Sequence, residues 1–332
     1  MDKLWLWILF NLVVLVMLAL DLGVFHRRAK AISLREATWW SILWVALAVL
    51  FNIAMLFWYG PEDQRKTLAL QFFTGYVIER MLSVDNIFVF LVLFNYFGVE
   101  PRYQYRVLFW GILGALIMRG AMIAAGVALI QRFEWILYVF GAFLVWTGAK
   151  MMTHRTAEVH PEQNPVFRMA RKFLPLTKKY EGKKFFVYQD GLWRATPMFL
   201  VLLVVETTDL AFALDSIPAI FGITQDPFII YSSNVFAILG LRALYFLLAG
   251  AMPYFRYLNL GLSLVLMFIG AKMLMERWVH ISVGISLGVV AAVLGAAMLA
   301  SVAAAKAAAR ALAHARKTEK RASVERPFGE TE

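Results

Sequence analysis

Long apolar segments alternate with short polar ones along most of the chain. A transmembrane helix needs about 20 predominantly apolar residues, and nine segments come close to this length. They lie at about 4–25, 37–58, 67–96, 106–128, 134–152, 195–218, 228–250, 256–275 and 279–303. The pattern therefore predicts an all-α, polytopic membrane protein of about nine transmembrane helices.

The composition agrees with a chain that is surrounded by a lipid bilayer. Of its 332 residues, 61% are hydrophobic and 17% are charged, whereas a soluble domain is about 45–50% apolar. The net charge of +11 does not indicate a nucleic-acid partner, because the basic residues cluster in loops and in the tail. The chain has no cysteine, and no Ser/His/Asp grouping has a catalytic spacing, so we expect no enzyme activity.

The positions of Lys and Arg predict the orientation of the chain. If the N-terminus lies outside, most of these residues fall on the inner side, as the positive-inside rule requires. We therefore predict an outer N-terminus and an inner C-terminus. The predicted organisation is a helix pair at 1–58, a first three-helix unit at 67–152, a basic inner loop at 153–194, a second three-helix unit at 195–275, a final span at 279–303 and a basic tail at 304–332.

Spans 3–5 and spans 6–8 carry the same markers in the same order. Glu79 and Asp85 are six residues apart in the first unit, and Asp209 and Asp215 have the same spacing in the second. Both pairs are followed by Phe-Gly, by an Arg in the next span, and by Gly-Ala-Lys-Met at the end of the third. Because each unit has three spans, the second enters the membrane from the opposite side. The sequence thus predicts an inverted repeat, an architecture of transporters whose binding site lies between the repeats.

Charged residues inside the predicted spans need partners, because each costs about 2.5–3.5 kcal/mol at the membrane centre. The acids are Asp21, Glu79, Asp85, Glu206, Asp209 and Asp215, and the bases are Arg80, Arg119, Lys150, Arg242 and Lys272. With the side-chain oxygens of Asn86 and Ser216, the acids form an oxygen ligand set that suits Mn²⁺, Mg²⁺ or Ca²⁺. We expect the stretches around Glu79 and Glu206 to face each other and to bind a cation.

The same charges also allow a purely structural interpretation. The acids could form salt bridges with Arg119 and Arg242 that only fix the packing of the helices, and this holds above all for Asp21, near the inner end of the first span. We interpret Arg119 and Arg242 as counter-charges that hold the empty site. Lys150 and Lys272 close their spans, where they can extend to the membrane interface or act in gating.

Glu206 makes the predicted site asymmetric. Its counterpart in the first unit is Tyr76, so the second unit carries one extra acid. Proton exchange through Glu79 or Glu206 is a candidate for the coupling of transport to a proton gradient.

Several stretches together resemble the TerC family of bacterial integral membrane proteins, and most of all its Alx branch. They include 73–79, 84–86, 212–219 and 233–242. The resemblance implies a Mn²⁺ exporter of the inner membrane. Together with the Lys and Arg distribution this predicts a periplasmic N-terminus and a cytoplasmic C-terminus, and we expect no cofactor. The resemblance carries the ion site over to Glu79, Asp85, Asn86, Glu206, Asp209, Asp215 and Ser216. Family names also mention redox modulation, for which this chain offers neither a cysteine nor a cofactor motif.

The leading hypothesis is therefore efflux of a hard divalent cation, most of all Mn²⁺, by alternating access between the two units. One alternative belongs to another class, namely a membrane scaffold or assembly factor that recruits other proteins through loop 153–194. Another is a transporter of a different substrate, such as an organic cation.

Overall fold

The computed structural model describes residues 3–25, 33–153, 162, 164–177, 179–189, 191–249 and 257–324, and it leaves out the side chains of 3, 21–25 and 308–324. Its helices are α1 (Lys3–Phe25), α2 (Leu34–Trp58), α3 (Arg65–Tyr96), α4 (Pro101–Arg132), α5 (Ile136–Thr153), α6 (Pro165–Phe173), α7 (Pro197–Phe221), α8 (Pro227–Leu239), α9 (Leu241–Ala249), α10 (Leu258–Met275) and α11 (Val283–Val324). The strands are β1 (Phe186–Gln189) and β2 (Leu192–Ala195). The helical fold class is confirmed, with one small hairpin added in loop 153–194.

The number of spans is only partly settled by these helices. Within the described residues six helices are long and apolar enough to cross a membrane, and the bent pair of α8 and α9 raises the number to seven. The apolar part of α1 covers only Leu4–Leu20. Helix α3 is long, but Glu79, Arg80 and Asp85 interrupt its apolar surface. The prediction of nine spans is therefore not confirmed.

The predicted span 228–250 is not one straight helix. It divides at Gly240 into α8 and α9, which meet at an angle of 42°. A side chain at Gly240 would meet the Arg80 guanidinium, since an ideal Cβ lies 3.0 Å from Cζ. The Arg80 Nη1 donates to the carbonyl of Ala237, 3.0 Å away, near the C-terminal end of α8. A cation is favourable at this end of a helix, so Arg80 stabilises the break.

Helices α5 and α10 pack closely along each other. An ideal Cβ on Gly141 would lie 3.0 Å from the carbonyl oxygen of Gly270, and one on Gly148 would lie 2.7 Å from that of Ser263. Small residues at such points let two helices approach within a membrane. Elsewhere α3 packs on α7 and α8, and α4 packs on the same two helices.

The described part of loop 153–194 is folded against the bundle. Asn164 caps α6 and also donates from Nδ2 to the Thr207 hydroxyl of α7, 2.8 Å away. The Tyr180 hydroxyl donates to the carbonyl of Phe97 at the end of α3, 2.6 Å away. In the hairpin Tyr188 pairs with Trp193, and Gly191 supplies a turn residue with φ of 78°. Thus the loop contacts both α3 and α7.

Candidate functional site

Arg119 is buried in the described bundle and is bonded to residues of both three-helix units. It is 2% exposed, and its Nη1 donates to the carboxylate of Glu79, which is 0% exposed. Its Nε and Nη2 donate to the two carboxylate oxygens of Asp209, at 3.2 and 3.3 Å. The guanidinium thus binds one acid from each unit, and the bond to Asp209 uses both carboxylate oxygens, a strong and directional geometry.

Two neutral groups complete the environment of this guanidinium. Nη1 also donates to the Ser216 hydroxyl, 3.2 Å away, and to Oδ1 of Asn234, 2.9 Å away. These residues bring α3, α4, α7 and α8 together. We call the set of Glu79, Arg119, Asp209, Ser216 and Asn234 the Arg119 cluster.

Helix geometry explains why only part of the predicted set meets there. Asp209 and Ser216 are seven residues apart, close to two full turns, so they share a face of α7. Asp215 lies about 100° away from Ser216 on the same helix and is directed to Thr147 and Lys150 of α5. On α3 the carboxylate of Asp85 lies near the side chain of Asn259 in α10.

Glu206 lies beside the Arg119 cluster, on α7. An ideal Cβ on Gly114 of α4 would lie 2.5 Å from its Oε2, so the absence of a side chain at Gly114 makes room for the carboxylate. Among the described residues the buried Oε2 of Glu206 has no hydrogen-bond partner, and the same is true of Oε2 of Glu79. One of these oxygens belongs to the Arg119 cluster and the other lies near Asp209, so both carboxylates have an oxygen free to accept a ligand.

The predicted ligands thus separate into groups. Glu79, Asp209 and Ser216 meet at Arg119, and Glu206 flanks them. Asn86 is buried on α3, while Asp85 and Asp215 face α10 and α5. Within the described part of the chain, no three His, Asp or Glu side chains are arranged to hold a metal ion. The seven-residue ion site stays a prediction. For these acids to bind one ion together, the helices would have to move.

The predicted counter-charges lie in different surroundings. Arg242 is 2% exposed on α9, whereas the side chain of Asp21 lies outside the described residues. Lys272 is 4% exposed, and its Nζ donates to the carbonyl of Gly222, 3.2 Å away, where α7 ends. Lys150 is exposed, with Nζ 5.2 Å from the centre of the Trp146 ring. Two residues that repeat in sequence therefore differ in burial.

A cavity of about 680 Å³ opens beside Lys272. Its polar lining includes Gln71, Glu134, Thr224 and Glu276. The Thr224 hydroxyl donates to Oε1 of Gln71, 2.8 Å away, which links the loop after α7 to α3. The cavity lies at the end of the bundle where α7 stops.

Sequence reasoning missed Asn234. Its Oδ1 is one of five acceptor oxygens of the buried guanidinium, yet an uncharged amide does not stand out when only charged residues are counted. The signal was an Asn that follows two serines within an apolar helix. Sequence reasoning also included Arg80 among the intramembrane bases without giving it a role, and it lies at the α8–α9 break.

This fold and this cluster define the class of the protein: a multi-pass α-helical membrane protein with a buried ionic centre. The chain belongs to the TerC family of integral membrane proteins, whose profile matches residues 64–309. The resemblance read from the sequence is thereby confirmed. No solved structure matches the chain.

Named relatives agree with this assignment. The chain is 51% identical over 283 residues to the "Putative membrane-bound redox modulator Alx" of Salmonella typhi, which covers 84% of this chain and 88% of that protein. The protein of the same name from Escherichia coli K12 is 49% identical with the same coverage. An uncharacterized membrane protein of Myxococcus xanthus is 53% identical over 268 residues, 81% of this chain and 82% of that one.

Proposed function

We propose that this protein exports Mn²⁺ across the bacterial inner membrane by alternating access between two inverted three-helix units. The observation that carries the proposal is the Arg119 cluster, in which one buried guanidinium binds an acid from each unit. The proposed role is transport without enzymatic chemistry. The proposed orientation places the N-terminus in the periplasm and loop 153–194 in the cytoplasm.

The charge balance of the site favours a divalent cation as cargo. Glu79 and Asp209 bind one guanidinium, Glu206 lies near Asp209 as a third acid, and two buried oxygens of these acids have no partner among the described residues. A hard divalent cation prefers carboxylate and other oxygen ligands. Such an ion can replace Arg119 as the counter-charge of Glu79 and Asp209. We interpret Arg119 as an internal cation that holds the acids when no cargo is bound.

The packing of the helices supports the inverted repeat. The repeat relates α3 to α7, α4 to the α8–α9 pair, and α5 to α10. If the two units are related by a two-fold axis, the contact between α3 and α8 should have a counterpart between α7 and α4. Both contacts are present. In the same way, the close approach of Gly141 to Gly270 should have a counterpart between Ser263 and Gly148, and this approach is also present. These matched contacts are those expected when two units pack about a pseudo-two-fold axis.

Alternating access follows from the position of the cluster between the units. When the site is empty, Arg119 of the first unit binds Glu79 of the same unit and Asp209 of the second, and the bond to Asp209 ties the units together. When a cation takes over these carboxylates, the guanidinium loses its ionic bond to the second unit and keeps only its bonds to neutral groups, so the contact between the units weakens and they can rock against each other around the ion. Asp85 and Asp215 then serve as stations on the two sides of the site.

A strain that is sensitive to Mn²⁺ tests the ligand assignment. Asp209→Asn and Glu79→Gln each remove a carboxylate, so we expect loss of Mn²⁺ tolerance and an effective Mn²⁺ affinity lower by about tenfold or more. The matched control is Glu62→Gln, an exposed acid in the connection before α3, which should keep wild-type tolerance. Tolerance retained by the cluster variants at equal expression would contradict the assignment.

The folded loop favours the scaffold as a second candidate function. Tyr188 and Trp193 form an aromatic pair on the hairpin and are 63% and 67% exposed. A scaffold would lose function when residues 186–195 are replaced by a Gly-Ser linker, and it would tolerate Asp209→Asn. The transport proposal predicts the reverse order of severity.

A further inference from the structure

Asn234 is held at both ends of its amide inside α8. The side chain is 1% exposed, and its Nδ2 donates to the carbonyl of Ile230, 3.2 Å away and one turn earlier. This bond turns Oδ1 towards Arg119, whose Nη1 lies 2.9 Å away. The helix itself is anchored, because the Asp226 carboxylate caps its first turn. Asn234 is thus a fixed, neutral acceptor for the guanidinium.

The four partners of Arg119 differ in what a cation would do to them. Glu79 and Asp209 are anionic, so a divalent cation attracts them away from the guanidinium. Ser216 and Asn234 are neutral and have less to gain from the ion. A displaced guanidinium that kept no acceptor in this buried place would be strongly destabilised. The neutral acceptors Ser216 and Asn234 therefore determine whether Arg119 can lose its bonds to Glu79 and Asp209 when a cation binds.

We propose that Asn234, assisted by Ser216, is a positioning residue that retains Arg119 while the cargo cation occupies Glu79 and Asp209. This inference rests on the proposed function and deepens it. It assigns Ser216 to Arg119 rather than to the ion. In the empty state the guanidinium binds all four partners, and in the loaded state it keeps its bonds to Asn234 and Ser216.

Mn²⁺ binding to purified protein tests the role of Asn234. Asn234→Ala removes the neutral acceptor and leaves Arg119 dependent on its acids, so we expect the Kd for Mn²⁺ to rise about ten- to hundredfold. In an Arg119→Met background the same substitution should change the Kd less than about twofold, because no guanidinium remains to be retained. A direct ligand of the ion would weaken binding in both backgrounds.

A second measurement keeps the test decisive if Arg119→Met does not fold. Asn234→Ala alone should weaken Mn²⁺ and Ca²⁺ binding by the same factor, since its effect passes through Arg119. A changed ratio of the two affinities would identify Asn234 as an ion ligand and overturn the proposal. The matched control is Asn11→Ala, which removes another intramembrane Asn, bonded to Tyr231 instead of Arg119, and should leave the Kd unchanged.

The two levels of failure can be told apart. If wild-type protein binds neither Mn²⁺ nor Ca²⁺, the proposed function fails and the role of Asn234 fails with it. If wild-type protein binds Mn²⁺ and Asn234→Ala binds it equally well, only the role of Asn234 is overturned.

Discussion

At the residue scale, the central fact is the position of one guanidinium between acids of two helical units. Removing one partner of a buried ion pair is strongly destabilising, by about 3–5 kcal/mol, because the other charge is left uncompensated. Arg119 supplies the compensating charge for Glu79 and Asp209 together. The unpartnered oxygens of Glu79, in the cluster, and of Glu206, near Asp209, could each bind a further positive charge.

Gly114 offers a test of this arrangement that leaves every charged residue in place. Gly114→Ala would place a Cβ against the Glu206 carboxylate, so we expect a stability loss of about 1–3 kcal/mol and weaker Mn²⁺ binding. The measurements are thermal unfolding in detergent and Mn²⁺ titration. Gly284→Ala is the control, since no atom lies within 4 Å of its added Cβ. Equal behaviour of the two variants would show that Glu206 does not depend on the space at Gly114.

From the sequence we could predict which intramembrane charges need partners, but not which of them meet at one site and which lie elsewhere. The cost of intramembrane charge pointed to Glu79, Asp209 and Arg119, and the structure brings these three together. A spacing of six places Asp85 and Asp215 on other faces of their helices, next to residues of α10 and α5. Which helix lies next to Asp85 or Asp215 depends on how the helices pack, and this cannot be derived from the spacing of residues within one helix.

At the element scale, local signals predicted helices well and their interruptions poorly. The apolar run 228–250 indicated one span, whereas Gly240 and the Arg80 guanidinium divide it. Arg80 lies far away in sequence, so the break is a tertiary effect. The hairpin of the inner loop is short and polar at its turn, and its strands were not predicted.

The contact of the loop with α3 should depend on pH through Tyr180. Burial raises the pKa of this phenol from 10.0 to about 12. Only the protonated phenol donates to Phe97, so the bond is complete below pH 10 and is lost as the pH rises to about 12. The difference in tyrosinate absorbance between wild-type protein and Tyr180→Phe should therefore have its midpoint near pH 12.

Tyr188→Phe is the reference for that titration, because Tyr188 is exposed on the hairpin. A midpoint near pH 10 for Tyr180 would show that the loop does not bury this side chain against α3 in solution.

At the scale of the whole molecule, the proposal depends on the relation between the two three-helix units. Matched contacts of α3 with α8 and of α4 with α7 support it, as do the paired approaches between α5 and α10. The lysines at the span ends do not follow this symmetry, since Lys272 is bonded to Gly222 and Lys150 is exposed. The two units therefore differ at the ends of their third helices.

Mn²⁺ flux in vesicles reconstituted with the purified protein tests the central claim most directly. The account predicts Mn²⁺ movement well above that of protein-free vesicles, carried by wild-type protein and by Glu62→Gln. Asp209→Asn should abolish this flux, because it removes the acid of the second unit from the Arg119 cluster. Wild-type flux no greater than that of protein-free vesicles, or equal flux in Asp209→Asn, would contradict the account.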